Sequence, residues 1–352
     1  MIYLDANATT AISHNAFQAM QDIYSIGCVN PSSIHSAGKL AKKLYQKAKE
    51  DILFSLNAEG YDLVFVSSGT EANNLALYNK KILTTTTEHE SIRNQPLQKT
   101  LLTVNGNGIV DVNQFEELAK NHAFSSIIWS NNQTGVVQDI SSMIKVKDQC
   151  LLHTDAVQYA GKRHIDLQKT PVDAITISSH KIHGPCGIAC LVFKKNYPIT
   201  PMIFGGSQEN SLHAGTHNLP AIVGFSTALA KVNSHEYIQN YHYHTTMLTN
   251  EISTFVQNNG GEIVAKNSNR LSNTLCIIKK NTLTTEQILM MDINNICISA
   301  GSACSAGIVG KSYVLQAMGL AGEDIACAIR VSVDISNSIE EVQEFCQIWK
   351  NL

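Results

Sequence analysis

Ala174-Ile175-Thr176-Ile177-Ser178-Ser179-His180-Lys181-Ile182-His183-Gly184-Pro185 is the stretch on which the reading of this chain turns. Its apolar and β-branched opening predicts a strand, its Gly-Pro close predicts a turn, and between them a lysine stands where the strand stops. An amine emerging from a buried strand end is partly desolvated, which favours the neutral form that attacks an aldehyde. The hydroxyls and imidazole just before it suit an anion. Upstream, Leu151-Leu152-His153-Thr154-Asp155-Ala156-Val157-Gln158 ends a second apolar strand in a carboxylate.

Outward from these two segments, residues 62–195 alternate short β-rich runs with helical patterns, as expected of βα units around a mostly parallel sheet. Strands are predicted at 62–66, 82–87, 126–130, 150–154, 174–178 and 189–193. Residues 37–56 are predicted as an amphipathic helix whose Leu40, Leu44, Ala48 and Ile52 cover one sheet face. Residues 219–232 suit a long buried helix opened by Pro220, and the polar stretch 233–240 marks a domain boundary. After it, strand signals at 273–278, 297–299 and 328–333, with helices at 285–291 and from Ile339, predict a smaller α+β unit. The expected organisation is an α/β chain with a large domain over 14–232 and a small domain from 1–13 and 233–352.

Composition narrows the function classes. At 352 residues the chain exceeds a single ordinary domain, and Lys+Arg 26 against Asp+Glu 29 gives a net charge of −3 without a dense basic block. Nucleic acid is not an expected direct partner. No apolar run is long enough to span a bilayer, and the start of the chain does not read as a signal peptide. Nine cysteines without paired CxxC spacing point to reduced thiols and a cytoplasmic location. Cys186 and Cys190 lack metal-site spacing with any second pair, and Tyr241-His242-Tyr243-His244 is expected on a solvated helix, so no metal is expected.

The remaining candidate site residues also fall at predicted strand ends. Ser67-Ser68-Gly69-Thr70-Glu71 runs from a strand into a helix start, a geometry that aims main-chain amides at an anion, with Gly69 and Thr70 as the ligands. His89 can stack on a ring and shuttle protons, Asn132 can donate to a phenolic oxygen, and Asp155 can keep a pyridine nitrogen protonated. An ordinary helix cap, a turn histidine, an Asn-rich turn and a structural salt bridge are the alternatives residue by residue. Together, Lys181 and Asp155 suggest pyridoxal phosphate. Cys304, in the small-residue loop Gly301-Ser302-Ala303-Cys304-Ser305, is a candidate mobile nucleophile, and Arg330, in an otherwise apolar strand, is either a carboxylate clamp or half of a buried ion pair.

Read together, these segments resemble the cysteine desulfurases, pyridoxal-phosphate enzymes of fold type I in the class V aminotransferase group. The likeness runs through Tyr3-Leu4-Asp5-Ala6-Asn7-Ala8-Thr9-Thr10, Asn30-Pro31-Ser32-Ser33-Ile34-His35, Ser68 to Asn74, Thr87-Glu88-His89, Asp155 to Gln158, Ser178 to Pro185 and Gly301 to Cys304. It implies that Lys181 holds the cofactor covalently, Asp155 pairs with its ring nitrogen, and Gln158 and Asn132 contact its phenolic oxygen. His89 would stack on the ring. Gly69, Thr70, Ser178 and His180 would hold the phosphate, with Thr216 reaching across a homodimer interface. Arg330, with Asn132, would hold the carboxylate of L-cysteine, while Cys304 takes the sulfur as a persulfide and L-alanine leaves. The spacing after Cys304 resembles the subgroup with a longer cysteine loop, which hands sulfur to iron–sulfur scaffold proteins or other acceptors. Three positions depart from the usual pattern: Gln133 replaces glutamate, His213 replaces arginine, and Asp334-Ile335 replaces Gly-Arg. A selenocysteine lyase, another class V enzyme, or a weakly active partner of a sulfur-transfer complex are the alternatives.

Overall fold

A computed structural model of the chain describes residues 1–300 and 312–352. Strand β1 (Ile2–Tyr3) opens it, and the central sheet follows from β2 (Tyr61–Val66), β3 (Ile82–Thr85), β4 (Lys99–Leu102), β5 (Phe124–Ile128), β6 (Leu151–Asp155), β7 (Ala174–Ser178) and β8 (Ala189–Lys194). These seven lie in the order β2-β8-β7-β6-β5-β3-β4. Only β8 runs antiparallel to its neighbours, so the other six strands end at one edge.

Both faces of this sheet are covered, which is why its strands read as continuous apolar runs rather than alternating ones. Leu63 and Phe65 of β2 point into one core with Ile175 and Ile177 of β7, while Val64 and Val66 point into the opposite core with Ala174. The helices Ser36–Ser55 and Leu219–Val232 pack on the first face through Ala41, Tyr45, Ile52, Phe225 and Leu229. Helix Gly69–Leu77 packs on the second through Ala72, Leu75 and Ala76.

The predicted strand at 126–130 lies two residues earlier in the chain, and that at 150–154 ends one residue later, because the sheet's register pairs Phe124 with Leu151 and Ile128 with Asp155. The helix predicted over 37–56 is present, yet its buried face is Ala41, Tyr45, Ala48 and Ile52, and Leu40 is 43% exposed. A four-residue repeat drifts roughly 40° per step around a helix, so a stripe written that way leaves the core within a few turns. Most of the polar stretch 233–240 is not a linker but the cap and first turns of a long helix, His235–Asn258, whose N-cap Ser234 accepts from the Tyr237 amide. Tyr241 on that helix is buried rather than solvated, although Tyr243 is exposed.

A second antiparallel sheet, built from β9 (Glu262–Ile263), β10 (Thr274–Ile278) and a strand near the C-terminus, follows the long helix, and β11 (Ile296–Cys297) pairs with β1. The third strand of that sheet is β12 (Ala328–Ser332). Of the strand predicted at 297–299, only Cys297 belongs to β11; Ser299 makes a single bridge to Arg330. Leu275, Ile277, Ile329 and Val331 pack on one face against Leu248, Ile252, Phe345 and Trp349 from the helices around them.

Trp349 is fully buried there, and its indole N–H donates to Gln287 Oε1 at 3.2 Å. Trp349→Ala is predicted to destabilise this unit by about 3–5 kcal/mol through the cavity and the orphaned amide. Urea denaturation followed by circular dichroism checks this, and a loss under about 1 kcal/mol would contradict the packing described.

Candidate active site

The six co-directional strands deliver their following loops to one side of the sheet, the place where α/β sheets bind ligands. A cavity of about 320 Å³ lies there, lined by residues from the loops after β2, β3, β5, β6 and β7 together with Asn7, Ala8 and Arg330. Of the residues singled out in the sequence, Gly69, Thr70, His89, Asn132, Asp155, Gln158, Ser178, His180, Lys181 and Arg330 all line it. Thr216 does not. It is exposed and lines a separate cavity of about 150 Å³ with His213 and Glu209. Cys304 lies outside the described residues.

Asp155 ends β6 at 4% exposure, where an unpartnered carboxylate would be costly. Its Oδ2 accepts from Asn73 Nδ2 at 2.7 Å and its Oδ1 from the Val157 amide at 2.9 Å. The second hydrogen of the Asn73 amide goes to Ser91 Oγ at 2.8 Å, and Ser91 lies 2.8 Å from His89 Nδ1. The Ser91 main-chain amide also donates to that Nδ1 at 3.1 Å, which puts the ring proton of neutral His89 on Nε2. One asparagine thus ties the carboxylate to the imidazole. Beneath them His153 bridges Ser126 and Thr176, and burial lowers its pKa to about 3, so its ring stays neutral.

Lys181 follows Ser178 through one turn of 3-10 helix, and its Nζ donates to the main-chain oxygens of Asn7 and Ala8, each at 2.5 Å. Burial, then the Arg330 guanidinium, lowers its pKa to about 8. His180 lies beside it, lowered to about 4 by burial and by Lys181, and its Nδ1 is 3.1 Å from Thr9 Oγ1. Arg330 donates to Asp5 Oδ1 at 2.5 Å and to the Asn132 main-chain oxygen at 3.3 Å, so the ion pair of the alternative reading is present; its Nε is buried and has no hydrogen-bond partner among the described residues.

Helix Gly69–Leu77 starts at the cavity with Ser68 as N-cap. A Cβ on Gly69 would come 3.0 Å from Val157 Cγ2, so glycine is what lets the helix start approach the loop after β6. Free amides at that start, the hydroxyls of Thr70 and Ser178 and the imidazole of His180 make a donor set that would suit a phosphate, and Asp155 an acceptor that would suit a ring N–H. These residues fit pyridoxal phosphate.

Sequence reasoning missed Asn73 and Asn7 as site residues, although both stand within quoted motifs, and it missed Lys162 altogether. Lys162 follows Gln158 by four residues in a turn, a spacing that carries no signal by itself. The three departures have partners. Gln133 accepts from Ser312 Oγ at 2.6 Å, His213 pairs with Glu71 at 2.7 Å and is raised by it while Glu71 falls to about 2, and Asp334 lies 3.5 Å from His183.

The model of the class V aminotransferases matches residues 2–345. The chain belongs to that family. Cysteine desulfurase 2 of Trichormus variabilis is 32% identical over 99% of this chain and 92% of its own length, which places the chain among the cysteine desulfurases. The crystal structure of a NifS-like protein from Rickettsia africae superposes with a TM-score of 0.92 at 34% identity, covering 100% of this chain and 99% of that one. SspA, solved in complex with cysteine, is 28% identical with a TM-score of 0.82 over 96% of this chain and 100% of its own.

With Lys181 lowered to about 8, its amine is protonated below that pH and neutral above it. Uptake of pyridoxal phosphate by the cofactor-free protein is therefore predicted to accelerate about tenfold per pH unit below 8 and to level off above it. Stopped-flow absorbance measures the profile; a rate still climbing steeply between pH 9 and roughly 10.5, the range of an ordinary lysine, would contradict the environment described.

Proposed function

We propose that this desulfurase takes sulfur from L-cysteine with pyridoxal phosphate held by Lys181 and Asp155, giving L-alanine and a persulfide on Cys304. The observation that carries the reading is the meeting of Lys181 and Asp155 at the ends of adjacent parallel strands, in one cavity, with a phosphate donor set beside them. When bound, the cofactor supplies an electron sink for the substrate's α-carbon. Asp155, held by Asn73 and Val157, would keep the ring nitrogen protonated and so deepen that sink. Lys181 would bind the cofactor and, once displaced by substrate, accept the α-proton on Nζ near neutral pH, with the Asn7 and Ala8 carbonyls as its resting acceptors.

Arg330 would hold the substrate carboxylate, using the Nε that Asp5 and Asn132 leave free. His89, oriented by Ser91, would stack on the ring and present its Nε2 proton. Cys304 as thiolate would attack the substrate sulfur: the carbon–sulfur bond breaks, a sulfur–sulfur bond forms, and the carbon skeleton leaves as alanine after protonation. The complex of SspA with cysteine supports the substrate assignment.

Thr216, exposed and away from the cavity of its own chain, suits a phosphate contact across a homodimer interface. The acceptor of the persulfide is a sulfur-receiving protein such as an iron–sulfur scaffold, and the cytoplasm is the compartment that keeps the thiols reduced. No described helix is long and apolar enough to cross a membrane. We also propose that the chain divides functionally into a large domain over 14–232 and a small one from 1–13 and 233–352 that carries Cys304.

Two measurements test the assignment. Purified protein given L-cysteine and a reductant is expected to release alanine and sulfide in equal amounts, and Cys304→Ala to reduce sulfide release at least about a hundredfold. Full activity in that variant would remove the persulfide step, and a strong preference for selenocysteine without dependence on Cys304 would favour a lyase. Separately, Lys181→Ala is expected to lose the visible absorbance of covalently held cofactor while remaining folded; an unchanged band would show that another amine holds it.

A further inference from the structure

We propose that Lys162 is a positioning residue that fixes the side-chain amide of Gln158, so that the cavity meets its N–H rather than its C=O. The inference rests on reading the cavity as a pyridoxal-phosphate site. Lys162 itself is 3% exposed and does not line the cavity. Its Nζ lies 2.5 Å from Gln158 Oε1 and 3.1 Å from Asn7 Oδ1. At the other end of the same amide, Gln158 Nε2 donates to the Asn7 main-chain oxygen at 2.9 Å.

Both ends of the amide are therefore assigned by chemistry. Flipping it would set C=O against the carbonyl of Asn7 at any pH and, while Lys162 is protonated, N–H against its N–H groups, repulsive contacts in place of hydrogen bonds. Asn7 consumes one of the two Nε2 hydrogens, and the other remains for the cavity that Gln158 lines. An oxygen of a bound ring placed there would receive a donor.

The frame that holds this arrangement is itself closed. Asn7 is 1% exposed, its Oδ1 also accepts from Asn273 Nδ2 at 3.1 Å, and its Nδ2 donates to Thr274 Oγ1 at 2.8 Å and to the Asn132 oxygen at 3.1 Å. Its main-chain amide donates to Ser332 Oγ at 3.0 Å. Asn7 cannot rotate to follow a wandering glutamine. The same main-chain oxygen that receives Gln158 receives Lys181, so the amide and the cofactor-binding amine share one acceptor.

A buried lysine normally answers a carboxylate, and Lys162 has none within ion-pairing distance among the described residues. The charged groups that influence it are Lys181, Arg330 and the more favourable Asp334, and burial lowers its pKa to about 7. Its hydrogen bonds survive that titration, because the neutral amine keeps two N–H donors for its two acceptors. Donation, rather than charge, is what the site takes from Lys162.

The test is a pH titration of the visible absorbance of the cofactor-loaded protein, comparing wild type with Lys162→Met, Lys162→Arg, Gln158→Ala and the Lys162→Met/Gln158→Ala pair. A donor to the phenolic oxygen draws off the negative charge that retains the proton on the neighbouring nitrogen, so losing it raises the midpoint. Lys162→Met and Gln158→Ala are each expected to raise the midpoint by about one unit, the double variant no further, and Lys162→Arg to stay near wild type. A Lys162→Met midpoint equal to wild type, or shifts that add in the double variant, would overturn the role. Circular dichroism checks folding; if Lys162→Met is unfolded, Lys162→Gln, whose shorter chain falls short of the Gln158 oxygen, carries the same expectation. Failure of the wild-type protein to take up the cofactor would instead overturn the reading of the cavity.

Discussion

A carboxylate at the end of a central strand, nearly sealed from water, has to be satisfied by the protein or by a ligand, and Asp155 has protein donors on both of its oxygens while lining a cavity. Asn73 and the Val157 amide take up its protein-facing hydrogen bonds, and its place in the cavity wall leaves it facing whatever binds there. Because Asn73 sits on the helix that begins at Gly69, the same contact that stabilises Asp155 fixes the helix start whose amides suit a phosphate. Because the other hydrogen of Asn73 goes to Ser91, it also sets the imidazole of His89. The proposed ring-nitrogen acceptor, phosphate donors and stacking imidazole are held in one hydrogen-bonded unit, which is the kind of mutual support that preorganises a site.

The second requirement is met from a distance in the chain. Residues 5–10 lie between the two sheets: Ala6 and Asn7 are held by Ser332, Thr10 by His180, and Asn7 by Thr274. The strap carries the carbonyls that receive Lys181 and the carboxylate that receives Arg330. It therefore joins the amine that the central sheet supplies to the guanidinium that the smaller sheet supplies. Neither sheet alone assembles the cavity.

Much of this was legible beforehand, for a physical reason. Fully buried parallel strands are written as apolar runs, and the polar residues that terminate them stand out, so Asp155, Ser178 and Lys181 were found at strand ends and are found there in the fold. The helix Leu219–Val232 was equally plain, because Pro220 and an unbroken apolar pattern mark it. Strand ends near residues 128 and 155 were misjudged by a residue or two, since register depends on the neighbouring strand. The first turns of the long helix from His235 are polar and hide it in the sequence, and the packing of Tyr241, Leu248 and Ile252 commits its later turns to the core.

By itself the order of residues determined the α/β class, the run of strand-end functional groups and the chemistry they share, because alternation, turn residues and isolated polar groups are local properties. Tertiary structure decided which of those groups meet. It brought Asn7 to Lys181, Gln158 and Lys162, put Asp5 on Arg330, and set Thr216 apart from the cavity that the others line. Hydrogen bonds between residues as far apart as Asn7 and Ser332 have no footprint in any window of sequence; they exist only once both sheets have closed on the strap between them.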